Sequence, residues 1–353
     1  MSKTDDIIKR ELGRTGDNPP LFRRVFVGSS KHDQKLWHMG GLSFGRDGVV
    51  YGSNDFAWYK KEKWYDRFSK TKIDSKPVIV IEGSHCLNTK SWGNAQLQRF
   101  HHAYGALLNN VLAIYYLKKG KYPIRPDLMA AALSASDVHS DRPTVCYLIT
   151  DDISDIEQVV KTMSKYGEDS KELEKIIYRI KAKMNKVFLR FFNSKRFGGD
   201  WVKYLESRDV IKSSFGWFKI RGPRYKNFTD SSFRMGHIVV GEALITKYLL
   251  IKAGINLKKE PFYYLFPFLE KSELEKISVS KSHDKEWKIL RSSNAWKILT
   301  VDDLAGLDKD FENKLRTIFK TIDLNKNRRM RNEAVSTIRE GLISGEITIK
   351  KNG

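Results

Sequence analysis

Val78-Ile79-Val80-Ile81 is an unbroken β-branched run, set behind Pro77 and stopped by Glu82. Branching at Cβ favours extended backbone, and the lack of a polar residue on either face marks a buried strand. Glu82 stands where that strand should emerge. A carboxylate directly after four buried apolar residues needs a partner or a metal ion. Upstream, Asn54-Asp55-Phe56-Ala57-Trp58-Tyr59 places a second acid at the mouth of an aromatic, strand-like segment. If the two strands are neighbours, Asp55 and Glu82 converge at one rim. Two hard oxygen ligands held that way suit a Mg²⁺ ion acting on a phosphodiester. Asn54-Asp55 after Gly52 also fits a turn, which is the plainer reading of that acid.

Further along, the pattern alternates. Asn94 is a good N-cap for a helix to about residue 110, with Leu97, Phe100, Tyr104, Leu107 and Leu108 at helical spacing. His101 and His102 are adjacent on that helix and point different ways, so core or surface duty is the expectation for both. Val111 to Leu117 reads as strand, Pro126 to Ser136 as helix, Thr144 to Thr150 as strand and Ile153 to Tyr166 as helix. An antiparallel beginning followed by strand–helix alternation predicts an α/β fold, a mixed β-sheet flanked by helices. Beyond Gly167 the character changes. Residues 170–192 form a long basic helix candidate, 194–240 are loop-rich, and 239–253 and much of 301–344 read as helix. The expected division is therefore an N-terminal segment with a core, 1–167 (core about 48–166), and a basic, mainly helical region over 168–353.

The charge balance bears on partners. Of 353 residues, 64 are Lys or Arg and 42 are Asp or Glu, a formal charge of +22 that favours a polyanion such as nucleic acid. A hydrophobic content of 41% allows a sizeable core. No apolar run is long enough for a membrane span. The first residues lack the apolar core of a secretory signal, and two cysteines in this length fit a reducing, cytoplasmic setting. Neither Gly-rich nucleotide loop occurs, and the cysteines and histidines lack zinc-site spacing.

Asp55 ahead of one strand and Glu82 ending the next, with a helix and further strand–helix units after them, resembles the PD-(D/E)XK nuclease superfamily, and within it the type II restriction endonucleases. The resemblance covers about residues 49–166. It implies a restriction-endonuclease-like core with Mg²⁺ held by Asp55, Glu82 and the carbonyl of Gly83. It also implies sequence-specific hydrolysis of double-stranded DNA by a homodimer. The family pattern has a lysine two residues after the second acid, where this chain has Ser84. Ser84 itself, Gln98, Lys90 or His85 could take over its role. The Gly93-Asn94-Ala95 helix start with Arg99 also resembles the segment next to the motif in some restriction enzymes, so Lys90, Asn94 and Arg99 are candidate DNA contacts.

Two further clusters combine basic residues with flexible backbone. Arg221-Gly222-Pro223-Arg224-Tyr225-Lys226 pairs Arg221, Arg224 and Lys226 with glycine and an aromatic ring. Arg328 and Arg329 lie in a second run between helical segments. Each could equally be a solvated loop. Two alternatives stand beside the restriction-enzyme reading: a non-catalytic nucleic-acid-binding protein on the same fold, and a structure-directed nuclease.

Overall fold

A computed structural model describes residues 22–26, 45–46, 49–52, 54–60, 77–84, 92–222, 234–278, 284–320 and 324–350. The chain divides into two compact units, Met1–Phe191 and Phe192–Gly353. Both are mixed α/β.

The first unit opens with β1 (Phe22–Phe26), the short pair β2 (Gly45–Arg46) and β3 (Val49–Val50), then β4 (Phe56–Lys60) and β5 (Ile79–Ser84). Helices α1 (Trp92–Gln98) and α2 (Phe100–Leu108) lead to β6 (Leu112–Leu117). The remainder is α3 (Pro126–His139), β7 (Tyr147–Thr150), α4 (Ile153–Tyr166) and α5 (Lys171–Phe192). One five-stranded sheet runs in the order β1-β4-β5-β6-β7. β4 is antiparallel to both β1 and β5, whereas β5, β6 and β7 are parallel. Every residue of β5, β6 and β7 is buried, as expected for parallel strands covered on both faces.

Local chemistry explains several boundaries. Pro126 starts α3, where a missing N–H costs nothing. The Asp152 carboxylate caps α4 by accepting from the Ser154 N–H at 3.0 Å. α5 buries Leu173, Ile177, Ile180, Met184 and Phe188 along one stripe and turns Lys171, Lys175, Arg179, Lys183, Lys186 and Arg190 to solvent.

Where a single helix from Asn94 to about residue 110 is expected, two are found. The first begins at Trp92, so Asn94 falls in its opening turn, and the break comes at Arg99 (φ −109°, ψ −1°). The flanking residues are drawn to different partners. Gln96, fully buried, donates to the Pro123 carbonyl at 3.2 Å and accepts from the Arg125 N–H at 2.8 Å. Arg99 reaches instead toward the end of β5. Tertiary hydrogen bonds thus override a continuous helical pattern.

The second unit differs more from expectation. It holds α6 (Trp201–Glu206), β8 (Val210–Ser213), β9 (Gly216–Ile220), α7 (Arg234–Lys252), β10 (Phe262–Phe266), α8 (Lys271–Ser278), α9 (Asp284–Ser292) and β11 (Lys297–Thr300). After these come β12 (Leu304–Ala305), α10 (Lys309–Lys320), α11 (Leu324–Ser344) and β13 (Thr348–Ile349). The region is helix-rich, as the sequence predicts, but it is built on a four-stranded sheet ordered β11-β10-β9-β8. β8 and β9 form an antiparallel hairpin inside the stretch expected to be loop-rich, and β9, β10 and β11 are parallel. β8 and β9 are short and carry Lys212 and Lys219, so neither alternation nor an apolar run marks them clearly.

One bond ties the break between α1 and α2 to the sheet. The Tyr147 hydroxyl donates to the Phe100 carbonyl at 2.8 Å, with both groups buried. Burial, with Tyr115 and the Glu82 carboxylate nearby, holds the Tyr147 phenol well above its usual pKa. Tyr147→Phe removes the side-chain donor from that carbonyl, so urea unfolding should show a loss of about 1 kcal/mol. Identical midpoints for variant and parent would show that the bond contributes nothing net.

Candidate metal-binding acidic pair

The register that pairs Phe56 with Ile81 carries Asp55, one residue further, opposite Glu82. The two carboxylates do converge. The Glu82 side chain is almost wholly buried, while that of Asp55 is about a quarter exposed. Asp55 Oδ2 accepts the Gly83 N–H at 2.7 Å, which fixes the acid across the strand end. Arg99 Nη1 donates to Glu82 Oε1 at 3.2 Å and to the Gly83 carbonyl at 2.8 Å, and lies 3.7 Å from Asp55 Oδ2. A single guanidinium nitrogen therefore sits within reach of both acids and of the carbonyl between them.

His102 approaches from the same side. Its Nδ1 lies 3.2 Å from Glu82 Oε1 without the alignment of a hydrogen bond. Arg99 and His102 are three residues apart where the chain enters α2, which puts both on one face. His101, on the next position round the helix, is buried and packs edge-to-face on His102 with centroids 4.5 Å apart. A glycine completes the arrangement. Gly52 has φ +118°, and a Cβ there would come within 2.3 Å of the His102 ring. Only glycine combines that backbone angle with that approach. Beside it, the buried Asn54 amide donates to the His102 carbonyl at 3.5 Å.

The donor set fits a hard cation. Glu82 Oε2 is buried and makes no hydrogen bond, a position that a buried carboxylate oxygen holds at considerable cost unless a cation or proton is supplied. Two carboxylates and the Gly83 carbonyl are the oxygens on offer. Among the described residues no group of three His, Cys, Asp or Glu side chains could hold a metal, so any ion here relies on this smaller set.

The other residues singled out from the sequence are spread more widely. Ser84 is buried at the end of β5, and its carbonyl accepts the Lys118 N–H at 2.8 Å. Gln98 is half-buried at the end of α1, one position before Arg99. Asn94 belongs to α1, whereas His85, Lys90, Arg224 and Lys226 lie outside the described residues. Arg221 comes directly after β9 and is only 4% exposed, its guanidinium held by Glu242 at 2.7 Å. Arg328 and Arg329 are exposed on α11, with Arg329 paired to Glu333 one turn on at 2.9 Å. The contact of His102 with Glu82 is the main feature that the sequence hides. The i, i+3 spacing from Arg99 is its only visible trace.

Gly52→Ala tests how tightly this corner is built. The substitution should lower stability by about 1–3 kcal/mol in thermal unfolding and shift the His102 imidazole signals in NMR spectra. A variant with parental stability and unmoved His102 signals would mean that Gly52 does not set the ring.

In comparisons with known proteins, no family model, curated protein or solved structure matches this chain.

Proposed function

We propose that the first unit is a Mg²⁺-dependent, sequence-specific endonuclease acting on double-stranded DNA, of the type II restriction-enzyme kind. The observation that carries this reading is the meeting of Asp55, Glu82 and the Gly83 carbonyl around one cationic nitrogen. The net charge of +22 supports a polyanionic substrate. The strand order, with an antiparallel pair leading into parallel strands, is the order the nuclease resemblance calls for.

Asp55, Glu82 and the Gly83 carbonyl hold the ion in this scheme. Bound Mg²⁺ would polarise the scissile phosphate and make a water molecule acidic enough to attack it. The protein's own groups do the rest. Ser84 brings no charge to the position of the family lysine, and Arg99 brings one from the neighbouring helix. Its guanidinium stays protonated at any working pH, so it offsets negative charge that develops on the phosphate. Ser84 and Gln98 are the neutral groups that would orient the attacking water in this scheme. Two copies related by two-fold symmetry would cut the two strands of a palindromic site.

One observation favours a second reading. Arg99 already neutralises the acidic pair, as it would in a protein that binds nucleic acid without cutting it. Incubation with linear duplex DNA separates the two. The nuclease reading expects discrete fragments with Mg²⁺ and intact DNA with EDTA. Retention of DNA without cleavage in Mg²⁺ and Mn²⁺ would leave only the binding protein, and a smear would point to a structure-directed nuclease.

Asp55→Ala and Glu82→Ala should each lower the cleavage rate by about 10³-fold or more while DNA binding persists. Arg99→Ala should cost roughly 10²-fold, with Arg99→Lys recovering part of it. A double Asp55→Ala/Glu82→Ala variant that still cuts would place the chemistry elsewhere.

A further inference from the structure

The second unit has a cavity of about 280 Å³ between the end of β9 and one face of α11. Among the described residues that line it, four are cationic, Lys219, Arg221, Arg331 and Arg339, against one carboxylate, Asp209. Arg331, Val335 and Arg339 recur every four residues and so lie along a single stripe of the helix. We infer that this cavity binds a phosphate group through Arg221, Arg331 and Arg339. The inference goes beyond the nuclease reading and does not depend on it.

The side chains are held in place, as a binding site requires. Arg221 is 4% exposed and is fixed by Glu242, which also accepts from the Tyr264 hydroxyl at 3.0 Å. Lys219, also buried, donates to the Arg208 carbonyl and lies 3.8 Å from Asp209. Asp209 also reaches Arg339 at 3.5 Å, so one acid serves two bases and the lining keeps a positive excess. Arg331 passes close over Gly222, where a Cβ would meet its Cδ at 3.0 Å. Burial, with Arg328 and Arg221 nearby, pulls the Arg331 guanidinium below its usual pKa. Like charges gathered in partial burial repel, and an anion relieves them. Planar guanidinium forks match phosphate oxygens in pairs, which makes phosphate the fitting anion. The volume is several times the roughly 30 Å³ share of a water molecule, enough for a phosphate and part of what it is attached to.

The phosphate could be free or part of a DNA backbone, and one set of titrations separates these sources. Inorganic phosphate and a short DNA duplex are each titrated calorimetrically into the full chain. The parent is compared with Arg331→Gln/Arg339→Gln and with Lys309→Gln/Lys314→Gln, which removes the same charge from exposed positions on α10. The arginine pair should weaken phosphate binding, DNA binding or both by about tenfold or more, and the lysine pair should not. Loss of phosphate affinity alone assigns the cavity to a free phosphate, and loss of DNA affinity assigns it to the backbone. Equal losses in the two double variants, or no loss in the arginine variant while its thermal unfolding stays parental, would overturn the inference. Cleavage is not measured, so a failed nuclease reading leaves this result standing.

Discussion

A negative charge buried at the end of a central strand sets the terms for the first unit. Glu82 is nearly inaccessible, and a bare carboxylate there would be strongly destabilising. The surroundings answer that demand in several ways at once. α2 begins where Arg99 can reach Glu82 and Gly83, and His102 is turned toward the same oxygen. Gly52 leaves room for the His102 ring, and the Asn54 amide donates to the His102 carbonyl. Behind them, Tyr115 and Tyr147 donate to the backbone of α1 and α2 at Gln96 and Phe100. Much of the architecture at this end of the sheet can be understood as the housing of one side chain.

The parts of this unit that are legible in the sequence share a physical cause. Val78–Ile81, Leu112–Leu117 and the stripe on α5 are dense apolar patterns whose burial is decided over a few residues. The register between β4 and β5 then comes from the two apolar runs, and with it the meeting of the acids. Features that cannot be read this way depend on contacts between distant residues. The break at Arg99 arises because Gln96 and Arg99 answer to different partners, and no local propensity records that. β9 escapes the pattern because Lys219 sits in it as a buried cation, where a sequence pattern reads only polarity. Arg221 reads as a surface residue for the same reason, and Glu242, 21 residues away, is what draws it inside.

The positive charge of the chain is not spread evenly over one kind of site. On α5 it is a solvated face opposite an apolar stripe, suited to loose attraction of a polyanion. At Arg99 it is a single guanidinium shared by two acids. Around Lys219, Arg221, Arg331 and Arg339 it is concentrated and partly enclosed. Charge held in an enclosed, low-dielectric setting acts more strongly per residue than charge on an open helix. The two kinds should therefore differ in how far added salt weakens them.

Glu82 and Arg99 lie within the same strand–helix–strand segment, only 17 residues apart. Parallel pairing of β5 with β6 brings together residues over 30 positions apart, with both helices in the connection between them. The acid and its counter-ion are therefore joined by a closure of 17 residues, with Arg99 a third exposed above the buried Glu82. A counter-charge for this anion is thus encoded within one short stretch of chain, and no distant segment has to arrive to supply it.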